Sequence, residues 1–136
     1  MNRDFIDVFK NDSFADLLAI KLIDCQLGYA KAQVTVTDEL LNFHGFAHGG
    51  LIFSLADYVF AIASNSYGQT AVGLNAHASF LKPAKVGDLL ICTAREVKRT
   101  TKIAVYEMKT TLETGELIAT TEGMVYITNR PLRLDE

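Results

Sequence analysis

The stretch NFHGFAHGGLIFSLADYVFAIASNSYG, from Asn42 to Gly68, decides the fold. His48-Gly49-Gly50 leads into an apolar run, and one carboxylate, Asp57, stands in the middle of it. Gly68 is a natural C-terminal stop, so a helix is expected from about Gly49 to Ser66, ~27 Å long at 1.5 Å per residue. Leu51, Ile52, Phe53, Leu55, Val59, Phe60 and Ile62 cover most of its circumference, the pattern of a buried helix. One stripe differs. Gly50, Ser54, Asp57, Ala61 and Ser64 recur at steps of four and three, so they share a face. That face is small and polar, suited to close approach by another backbone, a second subunit or a ligand.

The segments around this helix read as strands. Asp12-Ser13 can cap a short helix, about 13–19. AIKLIDCQ and YAKAQVTV flank a Leu27-Gly28 turn as a hairpin, and Thr37 to Ala47 reads as a loop. Beyond the helix come AVGLNAHASFL, LLICTAREV, IAVYEMKTTL and LIATTEGMVYIT, separated by LKPAKVGD, KRTTK and the turn at Glu113-Thr114-Gly115-Glu116. In the first of these, Val72, Leu74, Ala76, Ala78 and Phe80 are expected on one face, and Gly73, Asn75, His77 and Ser79 on the other. The fold class is α+β, an antiparallel sheet covering a single long helix in one domain spanning 1–136.

Composition narrows the classes of function. The chain has 136 residues, 49% hydrophobic and 21% charged, with a net charge of −3, which gives no bulk electrostatic support for a nucleic-acid partner. MNRDFIDVFKND is too charged for a signal peptide, and Asp57 interrupts the best candidate for a membrane span. Cys25 and Cys92 lie far apart in no CxxC motif, as expected of a reduced pair. The expectation is a soluble, cytoplasmic protein with no membrane or nucleic-acid partner.

Few residues carry candidate chemistry. A carboxylate in apolar surroundings is costly unless paired, and desolvation raises its pKa, which suits a general base near neutral pH. The alternative is a structural Asp57 bonded to a neighbouring backbone. Free N–H groups and the positive dipole end collect at His48-Gly49-Gly50, a place for an anion or for the oxyanion of an acyl carbonyl; alternatively it is a tight turn. Asn42 and His48 could donate to a carbonyl or hold the loop closed. His44 and His48 have HxxxH spacing, but Gly45 lies between them and no further ligand is evident, so no metal site is expected. Lys98, Arg99 and Lys102 cluster in one hairpin loop, with Lys82 and Lys85 in another; they are either solvated surface or a hold on a phosphorylated handle. G-x-S-x-G, GxGxxG and Walker A motifs are missing from the sequence, and no cofactor is expected.

Together, Asn42-x5-His48-Gly49-Gly50-x6-Asp57, FAIASNSYG, FLKPAKVGDLLICTAREVKRTTKIAVYEM and TGELIATTEGMVYI resemble the hotdog-fold acyl-CoA thioesterases of the phenylacetate-degradation (PaaI-like) type. The resemblance runs from about residue 14 onward. It implies a long helix wrapped by an antiparallel sheet, a homodimer with one continuous sheet, pairing of dimers into a homotetramer, and an active site spanning two subunits. It implies that the Gly49 N–H polarises the thioester carbonyl, that Asn42 and His48 support the site, and that Asp57 of the opposite subunit is general base or nucleophile. Gly50, Phe80 and Lys82, with Lys98, Arg99, Thr100 and Lys102 of the KRTTKI loop, are the implied substrate-binding residues. CoA is then part of the substrate. Some relatives have a serine or threonine that places water where Gly73 stands here; Asn75 and His77 are the candidate substitutes. Three alternatives stay open: a hotdog dehydratase or hydratase using His48 and Asp57, a non-catalytic acyl-CoA-binding protein, and a structural dimer anchored by Asp57.

Overall fold

The computed structural model describes residues 1–133. Two short helices, Phe5–Lys10 (α1) and Ser13–Leu18 (α2), precede a hairpin of Lys21–Gln26 (β1) and Tyr29–Thr35 (β2). The long helix Gly49–Asn65 (α3) follows, then Gln69–Phe80 (β3), Leu89–Arg99 (β4), Ile103–Thr111 (β5) and Leu117–Pro131 (β6). The strands form one antiparallel sheet in the order β1-β2-β4-β5-β6-β3, curled around α3. The α2 cap is as expected, since the Asp12 side chain accepts from Ala15 N. Helix α1 was not anticipated; its anchors are Phe9, which is buried, and its carbonyl, which accepts from Tyr58 Oη at 2.9 Å.

Leu55, Val59 and Ile62 of α3 are buried with Val34, Leu90, Tyr106, Met108, Ile118 and Val125 of the sheet. Each such side chain contributes roughly 1.5–3 kcal/mol of apolar burial. Gly123 on β6 makes room for the helix: a Cβ there would lie 2.7 Å from the Phe60 ring. Helix α3 is less enclosed than its composition suggests. Gly50, Phe53, Asp57 and Ala61 stay exposed and Ser54 half-buried, because the sheet covers the other sides. In the single chain the expected small-residue stripe, with Phe53 beside it, faces solvent as far as Ala61, whereas its last member, Ser64, is buried.

Strand β3 departs from simple alternation. Its register with β6 shifts between Gly73 and Asn75, leaving Leu74 as a bulge. Gly73 pairs with buried Val125, and Ala76 with Gly123, so both face the helix, whereas Val72 pairs with exposed Tyr126. Asn75 and His77 therefore point away from the face that Gly73 occupies. The expected single face of Val72, Leu74, Ala76, Ala78 and Phe80 holds only beyond the bulge. Strand β3 also ends the sheet, its outer edge unpaired, with Val72, Leu74 and Phe80 exposed.

Candidate active site

The loop before α3 is built to present one N–H group. Asn42 Oδ1 accepts from His44 N at 2.9 Å and Phe46 N at 3.2 Å, folding the loop on itself. His48 N donates to Leu40 O at 2.9 Å, and Ala47 N to Ala84 O at 2.7 Å, fixing the entry to the helix. His48 is the N-cap, its Nδ1 accepting from Gly50 N at 2.8 Å. A Cβ at Gly50 would sit 3.0 Å from that nitrogen, a crowded contact that glycine avoids. Gly49 N is left without an acceptor among the described residues. Gly49 lines a groove of about 310 Å³ with Asn42, Phe46, Ile52, Phe80 and Lys82. The Phe80 ring would lie 3.6 Å from a Cβ at Gly49, ordinary contact.

Asp57 stands eight residues further along α3, ~12 Å from Gly49 by helix rise. Its carboxylate has no hydrogen-bond or ion-pair partner among the described residues. The structural alternative, an Asp57 tied to neighbouring backbone, therefore has no bond to stand on. Asp57 lines a second groove of about 280 Å³ with Asp12, Phe14, Ile20, Phe53, Ser54 and Tyr58. The carboxylate stays open to solvent, yet loss of hydration against these neighbours, and then the Asp12 charge, hold its pKa above the ordinary carboxylate value. Phe14, not singled out in the sequence, and Asp12, read there only as a helix cap, belong to this groove; α2 and its cap bring them in from more than forty positions away.

The basic residues divide. Lys82 pairs with Glu116 at the Gly49 groove. Lys98 and Arg99, expected in the loop, end strand β4; Lys98 is exposed there, as is Lys102 in the β4–β5 turn, where Thr100 Oγ1 accepts from Ile103 N at 3.1 Å. Arg99 instead lies over the Tyr67 ring at 3.8 Å and donates to Gln69 at 3.4 Å, with its Nη1 buried and unbonded among the described residues. Gln69 begins β3 just past the C-terminal end of α3, which places this turn at the far end of a helix ~25 Å long from Gly49. One chain thus brings Asn42, His48, Gly49, Phe80 and Lys82 together, and holds Asp57 and the KRTTKI loop apart from them.

The thioesterase superfamily sequence model matches residues 44–119, more than half of the chain, including α3 and both flanks. The chain belongs to the thioesterase superfamily. Within that superfamily it is a PaaI-like protein with the hotdog fold. A putative esterase of Archaeoglobus fulgidus is 39% identical over 90% of this chain and 79% of its own. The acyl-coenzyme A thioesterase PaaI of Escherichia coli is 36% identical over 85% of this chain and 83% of its own. The solved structure of E. coli PaaI matches this PaaI-like fold with a TM-score of 0.92 at 32% identity, over 96% of this chain and 95% of that one. A Streptococcus mutans protein, smu.793, solved bound to acetyl CoA, has a TM-score of 0.79 and 29% identity over 83% of this chain and 91% of its own.

Proposed function

We propose that this protein hydrolyses acyl-CoA thioesters at a site assembled between two copies of the chain. One observation carries the reading: the unpartnered Gly49 N–H and the unpartnered Asp57 carboxylate share a helix but lie ~12 Å apart. A single thioester meets both only when the helix of a second copy runs past the first. The unpaired β3 edge, with Val72, Leu74, Phe80 and Leu81 exposed, supports a homodimer joined edge to edge. The exposed Val97, Val72 and Tyr126 on the outer sheet support pairing of dimers into a tetramer.

In this reading Asp57 removes a proton from water as the water oxygen attacks the carbonyl carbon. The negative charge formed on the carbonyl oxygen is held by Gly49 N–H of the facing copy, at the positive end of α3. Collapse breaks the C–S bond, and the proton on Asp57 passes to the departing CoA sulfur, leaving a free acid and CoA. Asn42 and His48 act by fixing the loop that presents Gly49. Lys98 and Lys102 hold the nucleotide end of CoA, while Lys82, beside Gly49, borders the acyl-thioester end. Asn75 and His77 turn away from the Gly73 face at the bulge, so in this reading Asp57 itself positions the water. The free thiols of Cys25 and Cys92 fit a cytoplasmic setting.

A thiol-release assay over a panel of acyl-CoA esters (phenylacetyl, hydroxybenzoyl, short to long aliphatic) tests the reaction. Release of free CoA thiol from at least one ester is expected. Hydration of an enoyl-CoA with the thioester intact, or tight binding without turnover, would overturn it.

A further inference from the structure

We propose that Phe14 of α2, facing Phe53 across the Asp57 groove, forms the wall that limits how long an acyl chain this protein accepts. The proposal rests on the reading of Asp57 as the base that acts on an acyl-CoA.

The charge of the Asp57 groove bears on which part of the substrate enters it. The Gly49 groove has Lys82, paired with Glu116, in its wall. The Asp57 groove carries two carboxylates, Asp12 and Asp57, and no cation. The phosphate-bearing arm of CoA is repelled there, whereas an uncharged acyl chain is not. The rest of the groove suits such a chain: Phe14, Ala15, Ile20 and Phe53 are apolar, with Tyr58 between them. Its volume of about 280 Å³ exceeds the ~150 Å³ that holds a benzene ring, so a compact acyl group has room there.

The walls differ in rigidity. Ala15, Ile20 and Tyr58 are buried, and the Tyr58 hydroxyl is tied to Phe9 O at 2.9 Å. Phe14 is 58% exposed and Phe53 37%, so both rings have apolar surface with nothing packed on it. Phe14 also sits on a six-residue helix whose one buried residue is Ala15. The Asp12 cap holds that helix in place at its start, 2.9 Å from Ala15 N. An acyl chain entering past Asp57 therefore ends against a ring whose removal leaves no hole in the core.

The experiment is a chain-length profile of kcat/KM by thiol release for wild type, Phe14→Ala and Phe14→Trp, with the oligomeric state of each measured by light scattering. Phe14→Ala is expected to raise kcat/KM for the longest chains tenfold or more relative to the shortest, the scale of one or two methylenes in an apolar pocket. Phe14→Trp should shift the profile toward shorter chains. Unchanged profiles in both variants, with wild-type turnover present, overturn the proposal and leave the thioesterase reading standing. A changed oligomeric state with an unchanged profile overturns it too, and makes Phe14 an interface residue. Wild type that releases thiol from no ester overturns the thioesterase reading itself.

Discussion

Around Gly49 the polar groups bond one another and leave a single N–H over; around Asp57 the polar neighbours Asp12, Ser54 and Tyr58 are bonded elsewhere and none of them to the carboxylate. Asn42 folds the loop, His48 caps the helix, and Gly50 N–H is spent on that cap, so one N–H is left beside the groove. Asp57 has no such company; its neighbours are two phenylalanines, a tyrosine, a serine and another acid. The difference matches what the two proposed roles require. An oxyanion donor works by being rigid before charge develops. A base works by holding a raised pKa, which partial loss of hydration supplies and hydrogen bonds to the carboxylate would undo.

Removing the base is the harshest way to break this pairing. Asp57→Asn should keep the fold and lower acyl-CoA hydrolysis by on the order of 10²–10⁴-fold, read by thiol release beside an unchanged circular dichroism spectrum. Wild-type rates in this variant would leave Asp57 without a role in the chemistry. Removing the donor comes next. Gly49→Pro deletes the N–H at the first helical position, where proline is well tolerated, and His48 already has the extended backbone (φ −62°, ψ 137°) that a following proline favours. Its expected cost is about 10²–10³-fold in kcat, with the helix intact. Mixing the two dead variants sharpens the comparison. If each site takes Gly49 from one copy and Asp57 from the other, heterodimers hold one sound site, and statistical exchange should recover roughly a quarter of wild-type activity. No recovery after verified subunit exchange would place both groups in one chain's own site.

Smaller effects follow from charge. Asp57 must be ionised to act, so kcat/KM should fall as pH drops through its raised pKa. Asp12→Asn keeps a good helix cap but removes the neighbouring charge, so this acid limb should move to lower pH. An unmoved limb would show that Asp12 does not act on Asp57. Stability runs the opposite way. A raised pKa favours the protonated folded state, so stability from this group is present below the ordinary carboxylate pKa and lost as pH rises through the raised value. Asp57→Asn should therefore raise Tm at pH 7, with the gain shrinking in acid, as a thermal melt series would record.

The long helix, its glycine entry, the six strands and their antiparallel α+β arrangement were readable because each rests on a local period or a turn residue. So was Asp57 as the odd group on an otherwise small-residue stripe. Helix α1 was not, since FIDVFK is too short for a periodic signal and is fixed in place by contacts such as Tyr58 to Phe9. Nor was the turnover of faces in β3, because a bulge at Leu74 depends on which β6 residues lie opposite. The basic cluster was legible as charge, but only packing separates Arg99, stacked on Tyr67, from the free Lys98 and Lys102.

Sequence alone singled out Asn42, His48, Gly49 and Asp57 as candidates on one helix and its entry loop, because helix spacing and side-chain type are local properties. Tertiary structure decided everything about their company. It left Gly49 N–H and Asp57 without partners, set them two turns apart, and put Phe14 beside the carboxylate. Those outcomes depend on how a sheet of limited width curls around a helix. It covers three sides and leaves the fourth, the side with Asp57, for whatever comes next to it.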